Sequence, residues 1–203
     1  MERLHDNKGF VLTELLVSIA ILAILAIAVS SFSRDVFSLN AYNQERLIAS
    51  DELRRGLKQF TAELRTAEPS DAGDYLFIVA SSSAITFFSD VNGDGTHEKV
   101  RYYMSGNILK RGIISPTLGS PPTYNLANEK IIELVHTVTN GSAIFSYYPD
   151  TYTGNSAPFT QPVPIDQVRL VKVNVSVDPD PNRSPAPIVD GTQVTIRNLK
   201  DNL

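Results

Sequence analysis

Residues 8–29 read "KGFVLTELLVSIAILAILAIAV", an almost unbroken apolar run with a single carboxylate, Glu14, near its start. Nineteen uncharged residues separate Glu14 from the next charge, Arg34. As a helix they would span about 28 Å at ~1.5 Å per residue, close to the ~30 Å hydrocarbon core of a bilayer. The run is therefore long enough to cross a membrane. A carboxylate at mid-bilayer costs on the order of 2.5–3.5 kcal/mol and by default marks a function. Near the start of the run Glu14 can snorkel to the interface, which explains how it is tolerated but not why it is there.

Three uses of such a segment compete: a cleaved secretory signal, an inert anchor, and a helix used for assembly. Ala26-Ile27-Ala28 is an A-x-A pattern and Arg3 and Lys8 precede the run, as in a signal peptide. Against that reading, Glu2 and Asp6 cancel the two positive charges and Glu14 interrupts what would be the apolar core of the signal. An inert anchor has no use for the acid.

The stretch Lys8-Gly9-Phe10-Val11-Leu12-Thr13-Glu14-Leu15-Leu16-Val17 resembles the prepilin signature of type IV pilins and type II secretion pseudopilins. In that signature a short leader ends in Lys/Arg-Gly, Phe follows, and Glu stands fifth after the cut. Val11 and Thr13 depart from it, standing where Thr and Ile are usual. The resemblance implies cleavage by prepilin peptidase between Gly9 and Phe10, N-methylation of Phe10, and no enzymatic activity in the chain itself. It implies storage in the bacterial inner membrane as a single-pass protein with its C-terminal part outside the cytoplasm. The implied partners are the lipid bilayer, an assembly platform, and other pilins or pseudopilins met through their N-terminal helices. Cleavage would create an ammonium at Phe10. Glu14 of a neighbouring subunit would neutralise it inside an apolar fibre, where an unpaired charge is costly.

Beyond Arg34 the helical pattern continues. Leu53, Leu57, Phe60, Leu64 and Ala67 form one apolar stripe, while Asp51, Glu52, Arg54, Arg55, Lys58, Glu63 and Arg65 fall off it. Glu68-Pro69 supplies a stop. Gly56 interrupts the propensity of the stripe by about 1 kcal/mol against Ala, a mark of flexibility or of close packing. A helix from about Phe10 to Ala67 would be roughly 85 Å long. Ala20, Ala23, Ala26 and Ala28 with Ser18, Ser30 and Ser31 keep its first half narrow, which suits close helix approach.

From Asp74 the periodicity turns to strands at 75–79, 84–89, 99–104, 107–111, 130–138, 143–148, 167–177 and 191–197, with turn signals at Ser105-Gly106, Asn140-Gly141 and Asp190-Gly191. Three Pro-rich loops, 115–123, 149–164 and 178–191, read as surface excursions or contacts. The expected fold class is α+β and pilin-like, a long N-terminal helix on an antiparallel β-sheet domain. The expected divisions are a leader at 1–9, a transmembrane and assembly half of the helix at 10–33, an amphipathic half at 34–68 and a globular β-rich domain at 69–203. The arrangement "AITFFSDVNGDGTHEKVRYYMSGNILKR" with "TQVTIRNL" resembles the W-type minor pilins and J-type minor pseudopilins. The absence of a cysteine pair, and Ser31 where many major pilins kink at proline, lean the same way. Such subunits sit in an initiating or tip complex. The host machine, whether pilus, type II secretion or competence pseudopilus, is left open.

Asp90-Val91-Asn92-Gly93-Asp94-Gly95-Thr96-His97-Glu98 places oxygens at positions 1, 3, 5 and 9 of a calcium loop. Its twelfth position is Arg101 rather than a bidentate acid, so a hairpin turn without metal competes with calcium held by Asp90, Asn92, Asp94 and Glu98. Otherwise no cofactor is expected. His97 and His136 share no metal-ligand spacing and read as surface or strand residues. No G-x-S-x-G or P-loop occurs. The chain has no cysteine, which removes thiol catalysis and disulfides. A net charge of −4 gives no basic footprint for nucleic acid. The competing functional class is a secreted or anchored β-domain that binds a ligand or acts as an enzyme after ordinary signal cleavage near Ala28.

Overall fold

The computed structural model describes residues 12–141 and 143–196; the Gly9–Phe10 junction lies outside them. The chain divides into two compact units, residues 1–45 and 46–203. One helix, α1 (Leu12–Arg65), supplies all of the described part of the first unit and opens the second. Its first 44 positions carry neither Gly nor Pro, so nothing in the backbone interrupts it before Gly56. It ends a few residues before the expected stop because the sheet takes over the backbone there. Ala67 bridges Ser89, and the Glu68 N–H donates to the Phe88 carbonyl at 3.1 Å.

In the second unit the stripe Leu53, Leu57, Phe60, Leu64 and Ala67 is buried throughout. It packs on a five-stranded antiparallel meander in chain order: β1 (Phe77–Ala80), β2 (Ala84–Ser89), β3 (Glu98–Ser105), β4 (Ile108–Ile114) and β5 (Lys130–Val135). Phe60 meets the Tyr102 ring edge-on, with centroids 5.1 Å apart. Gly56 is there for close packing: a Cβ at that position would stand 3.0 Å from a Val135 methyl, so β5 comes right up to the helix.

A second antiparallel sheet holds β6 (Phe145–Tyr148), β7 (Leu170–Val177) and β8 (Ile188–Thr195), in that order. Strand β7 alternates cleanly, with Val171, Val173, Val175 and Val177 all buried. The layout is the expected α+β one, with two sheets. Asp190-Gly191 is not a turn. It lies inside β8, where Asp190 pairs with Val175 and Gly191 with Asn174. Glycine is needed there because a Cβ would stand 2.8 Å from the Val173 carbonyl oxygen. The third Pro-rich loop accordingly ends before Ile188 rather than at Gly191. Other strands are shorter than their sequence patterns as well: β1 and β6 start at Phe77 and Phe145, residues 165–167 form a 3₁₀ turn ahead of β7, and Thr137, at φ 55°, turns the chain out of β5. Two of the loops are pinned by hydrogen bonds. Thr117 closes the first by accepting and donating bonds with Thr123, and the Phe159 N–H in the second donates to the Tyr147 carbonyl at 2.9 Å.

Candidate functional site

In the first unit the apolar run of α1 is exposed on every side. Leu15, Leu16, Ile19, Leu22, Ile24, Leu25 and Ile27 each leave more than half their surface open, and the helix is long and apolar enough to cross a membrane. A helix that is apolar all round needs lipid or other helices to cover it. Its serine side chains are satisfied within the helix. The hydroxyls of Ser18, Ser30, Ser31 and Ser33 donate to the carbonyls of Glu14, Ala26, Ala28 and Val29 at 2.7–2.9 Å. They therefore need no water in an apolar medium. Glu14 sits in the first turn of the described helix, where the helix dipole favours an anion.

The second unit locks α1 to its first sheet with a buried charge cluster that local patterning does not reveal. Glu63, which falls off the apolar stripe, accepts from Arg111 Nη2 at 2.6 Å and Nε at 3.0 Å, and from the Tyr102 hydroxyl at 2.6 Å. Both charged side chains are nearly buried, at 6% exposure for Arg111 and 11% for Glu63. Burial, with the Glu63 carboxylate as a second cause, pushes the Tyr102 hydroxyl well above its ordinary range. The sequence signal for this cluster is weak: alternation along β4 and β3 turns Arg111 and Tyr102 inward, but nothing names Glu63 as their partner.

Both described histidines are clamped between two carboxylates. His136 places Nδ1 3.0 Å from Glu52 on α1 and Nε2 3.1 Å from Glu133 on β5. His97 places Nδ1 2.8 Å from Asp71 and Nε2 3.3 Å from Glu68. Hydrogen bonds to Glu52 and Glu133 raise the His136 pKa. Burial opposes the charge on His97, but Asp71 and Glu68 overcome it and the net shift is upward. Each ring nitrogen is engaged by a different acid, so the histidines fasten the helix and its exit to the sheet.

The Asp90–Glu98 segment is an ordered turn between β2 and β3. Asp90 accepts from the N–H groups of Gly93 and Gly95 at 2.7 and 3.0 Å, and Asp94 accepts from the Thr96 N–H and hydroxyl. Glu98, 2% exposed, accepts from the Val91 N–H and the Asn92 amide. Burial raises its pKa, with Asp94 and Asp90 adding to the effect. Gly93 and Gly95 take the positive φ, 77° and 84°, that the turn demands. The four residues expected as calcium ligands are thus brought together, with their oxygens engaged by donors of the protein itself and the Asn92 amide nitrogen pointing inward. Among the described residues no group of three or more His, Asp or Glu side chains is arranged to hold a metal ion.

Residues 4–30, which contain the apolar run and Glu14, match the family described as the prokaryotic N-terminal methylation motif. A comparison with curated proteins finds no match.

Proposed function

We propose that this chain is a structural subunit of a type IV pilus or a related pseudopilus, from the premise that its residues 4–30 carry the type IV pilin and pseudopilin signature. That signature marks a substrate of prepilin peptidase that assembles with other pilin subunits. It points to a structural protein rather than an enzyme. The helix at 12–33 fits a membrane anchor that later enters a fibre. In the finer reading the chain waits in the bacterial inner membrane with residues 46–203 outside the cytoplasm. The peptidase cuts after Gly9 and methylates Phe10. An assembly platform then lifts the helix out of lipid into a fibre, where Glu14 of one subunit neutralises the Phe10 ammonium of another. Its place is among the minor subunits, in the initiating or tip complex.

One observation carries the proposal: a fully exposed apolar helix bearing the methylation motif, whose serines bond back to the helix and whose only early charge is Glu14. Mass spectrometry of the mature N-terminus tests it. A chain that begins with N-methylated Phe10, and only when prepilin peptidase is present, is expected. A chain that begins after Ala28 and is indifferent to that enzyme would replace this function with that of a secreted β-domain. Glu14→Ala is expected to be cut normally yet to enter fibres poorly. Wild-type incorporation would refute the charge pair.

A further inference from the structure

The chain leaves the first sheet and reaches the second through residues 136–139, where Val138 bridges Val177 of β7. Thr137 sits in this connector at a cost. Its φ of 55° lies in the left-handed region, which a β-branched residue seldom enters. Its Oγ1 is buried and, among the described residues, has no hydrogen-bond partner. Two such penalties on one residue persist only where the surroundings hold it in place. On one flank the hold is made by the backbone: the Val138 N–H donates to the Asn107 carbonyl at 2.9 Å, and the Thr137 carbonyl accepts from the Asp178 N–H at 3.0 Å. On the other flank it is ionic. The Glu52 carboxylate of α1 accepts from the His136 N–H at 3.2 Å and faces ring Nδ1 at 3.0 Å, while Glu133 of β5 faces Nε2 at 3.1 Å.

We propose that the Glu52–His136–Glu133 clamp is a proton-operated latch that holds Thr137 in its strained conformation, so that loss of the His136 proton frees the connector between the two sheets. The geometry requires it by donor count. A carboxylate only accepts, so both ring nitrogens must donate, and only the imidazolium carries two N–H groups. Neutral His136 keeps one acid and turns a lone pair towards the other, whichever tautomer it takes. The ring is 42% exposed, so its proton exchanges with solvent without unfolding. The two acids raise its folded pKa; the clamp is complete below the ordinary histidine value of about 6.5 and fails as pH rises through the folded value. The other charged groups on the elements packed here are engaged: Lys110 of β4 with Glu133, Arg55 with Asp51 on α1, and buried Asp178, just after β7, with the Asp180 N–H. Of these residue types only histidine ordinarily titrates near neutral pH. With the latch open, Thr137 relaxes to negative φ, its hydroxyl reaches water, and the second sheet loosens against the first at this end. The device does not depend on the fibre reading.

Hydrogen exchange of the detergent-solubilised full-length chain tests the latch, corrected for the intrinsic pH dependence of exchange and set beside an NMR titration of the His136 ring. The readout is the amides of Val138 and Asp178, whose hydrogen bonds close the connector. Their protection should fall by roughly tenfold or more as pH rises through the His136 transition, while the amides in the middle of β7 keep theirs. Thr137→Gly accepts positive φ and has no hydroxyl to bury, so it should stay protected on both sides of the transition. His136→Phe lacks both ring donors and should be poorly protected on both sides. Equal wild-type protection on the two sides would overturn the latch. So would a Thr137→Gly chain that loses protection as the wild type does, a His136→Phe chain that still responds at that pH, or a fall shared by all of residues 46–203.

Discussion

Removing Glu63 strands a guanidinium. In the folded protein Arg111 is 6% exposed and makes two contacts to the Glu63 carboxylate, which also accepts the Tyr102 hydroxyl. Glu63→Ala leaves the Arg111 charge buried without a counter-ion, a defect that costs about 3–5 kcal/mol. For a protein of this size each kcal/mol moves Tm by about 2–4 °C. The expected loss is therefore about 6–20 °C, read by near-UV circular dichroism of the detergent-solubilised chain. Little of it should depend on salt, because the pair is buried rather than surface-screened. The companion variant E63L/R111L/Y102F removes both charges, together with the buried hydroxyl that would otherwise lose its acceptor, and fills the space with apolar side chains. Replacements of that kind are often neutral or stabilising, so most of the lost Tm should return. If Glu63→Ala moves Tm by less than about 2 °C, or if the triple variant is as unstable as the single one, the cluster is not what fastens α1 to the sheet.

Gly56→Leu should destabilise by about 1–3 kcal/mol, since a Cβ there already stands 3.0 Å from a Val135 methyl; denaturant melts showing no loss would mean that β5 yields freely. The histidine clamps predict the shape of the pH–stability profile. His136 and His97 have raised folded pKa values, so their contribution is complete below the ordinary histidine value of about 6.5 and fades as pH rises through the folded values. Glu133, held low by Lys110 and His136, and Asp71, held low by His97, contribute above about pH 4 and lose that contribution as pH falls. Stability should peak between about pH 4.5 and 6.5, and His136→Gln should flatten the alkaline side; an unchanged profile in that variant refutes the clamp. Because the oxygens of the Asp90–Glu98 turn are engaged by protein donors, a chelator should leave Tm unchanged, and a clear fall would show calcium displacing the Asn92 amide.

What could be read from the sequence follows the range of the forces involved. The methylation motif is contiguous, its chemistry sits within a few residues, and one pass along the chain finds it. The stripe from Leu53 to Ala67 was equally plain because a helix repeats its face every three or four residues, and that face is buried as expected. Glycine was ambiguous because one residue type serves two needs. At Gly93 and Gly95 it supplies positive φ in a turn, as the Asn-Gly and Asp-Gly pairs suggest. At Gly191 the similar pair Asp-Gly sits in mid-strand because the Val173 carbonyl comes within 2.8 Å of where a Cβ would be. Only the neighbouring strand tells the two apart.

Charged residues off the apolar stripe show the same limit more sharply. Periodicity assigns Glu52, Arg54, Lys58 and Glu63 alike to a solvated face, yet the fold sends them to different ends. Glu63 is nearly buried against Arg111, which lies 48 positions away in the chain. Glu52 reaches His136 across 84. Arg54 and Lys58 face a groove that only β8 completes. A buried charge is tolerated only where its counter-charge is brought to it. That meeting is made by sheet topology, which a helical repeat does not encode. The residues that fasten α1 to the sheet and those that line the groove are therefore of one composition and one helical pattern. They differ in what the fold sets against them: a hydrogen-bonded counter-charge for Glu63 and Glu52, a groove wall for Arg54 and Lys58.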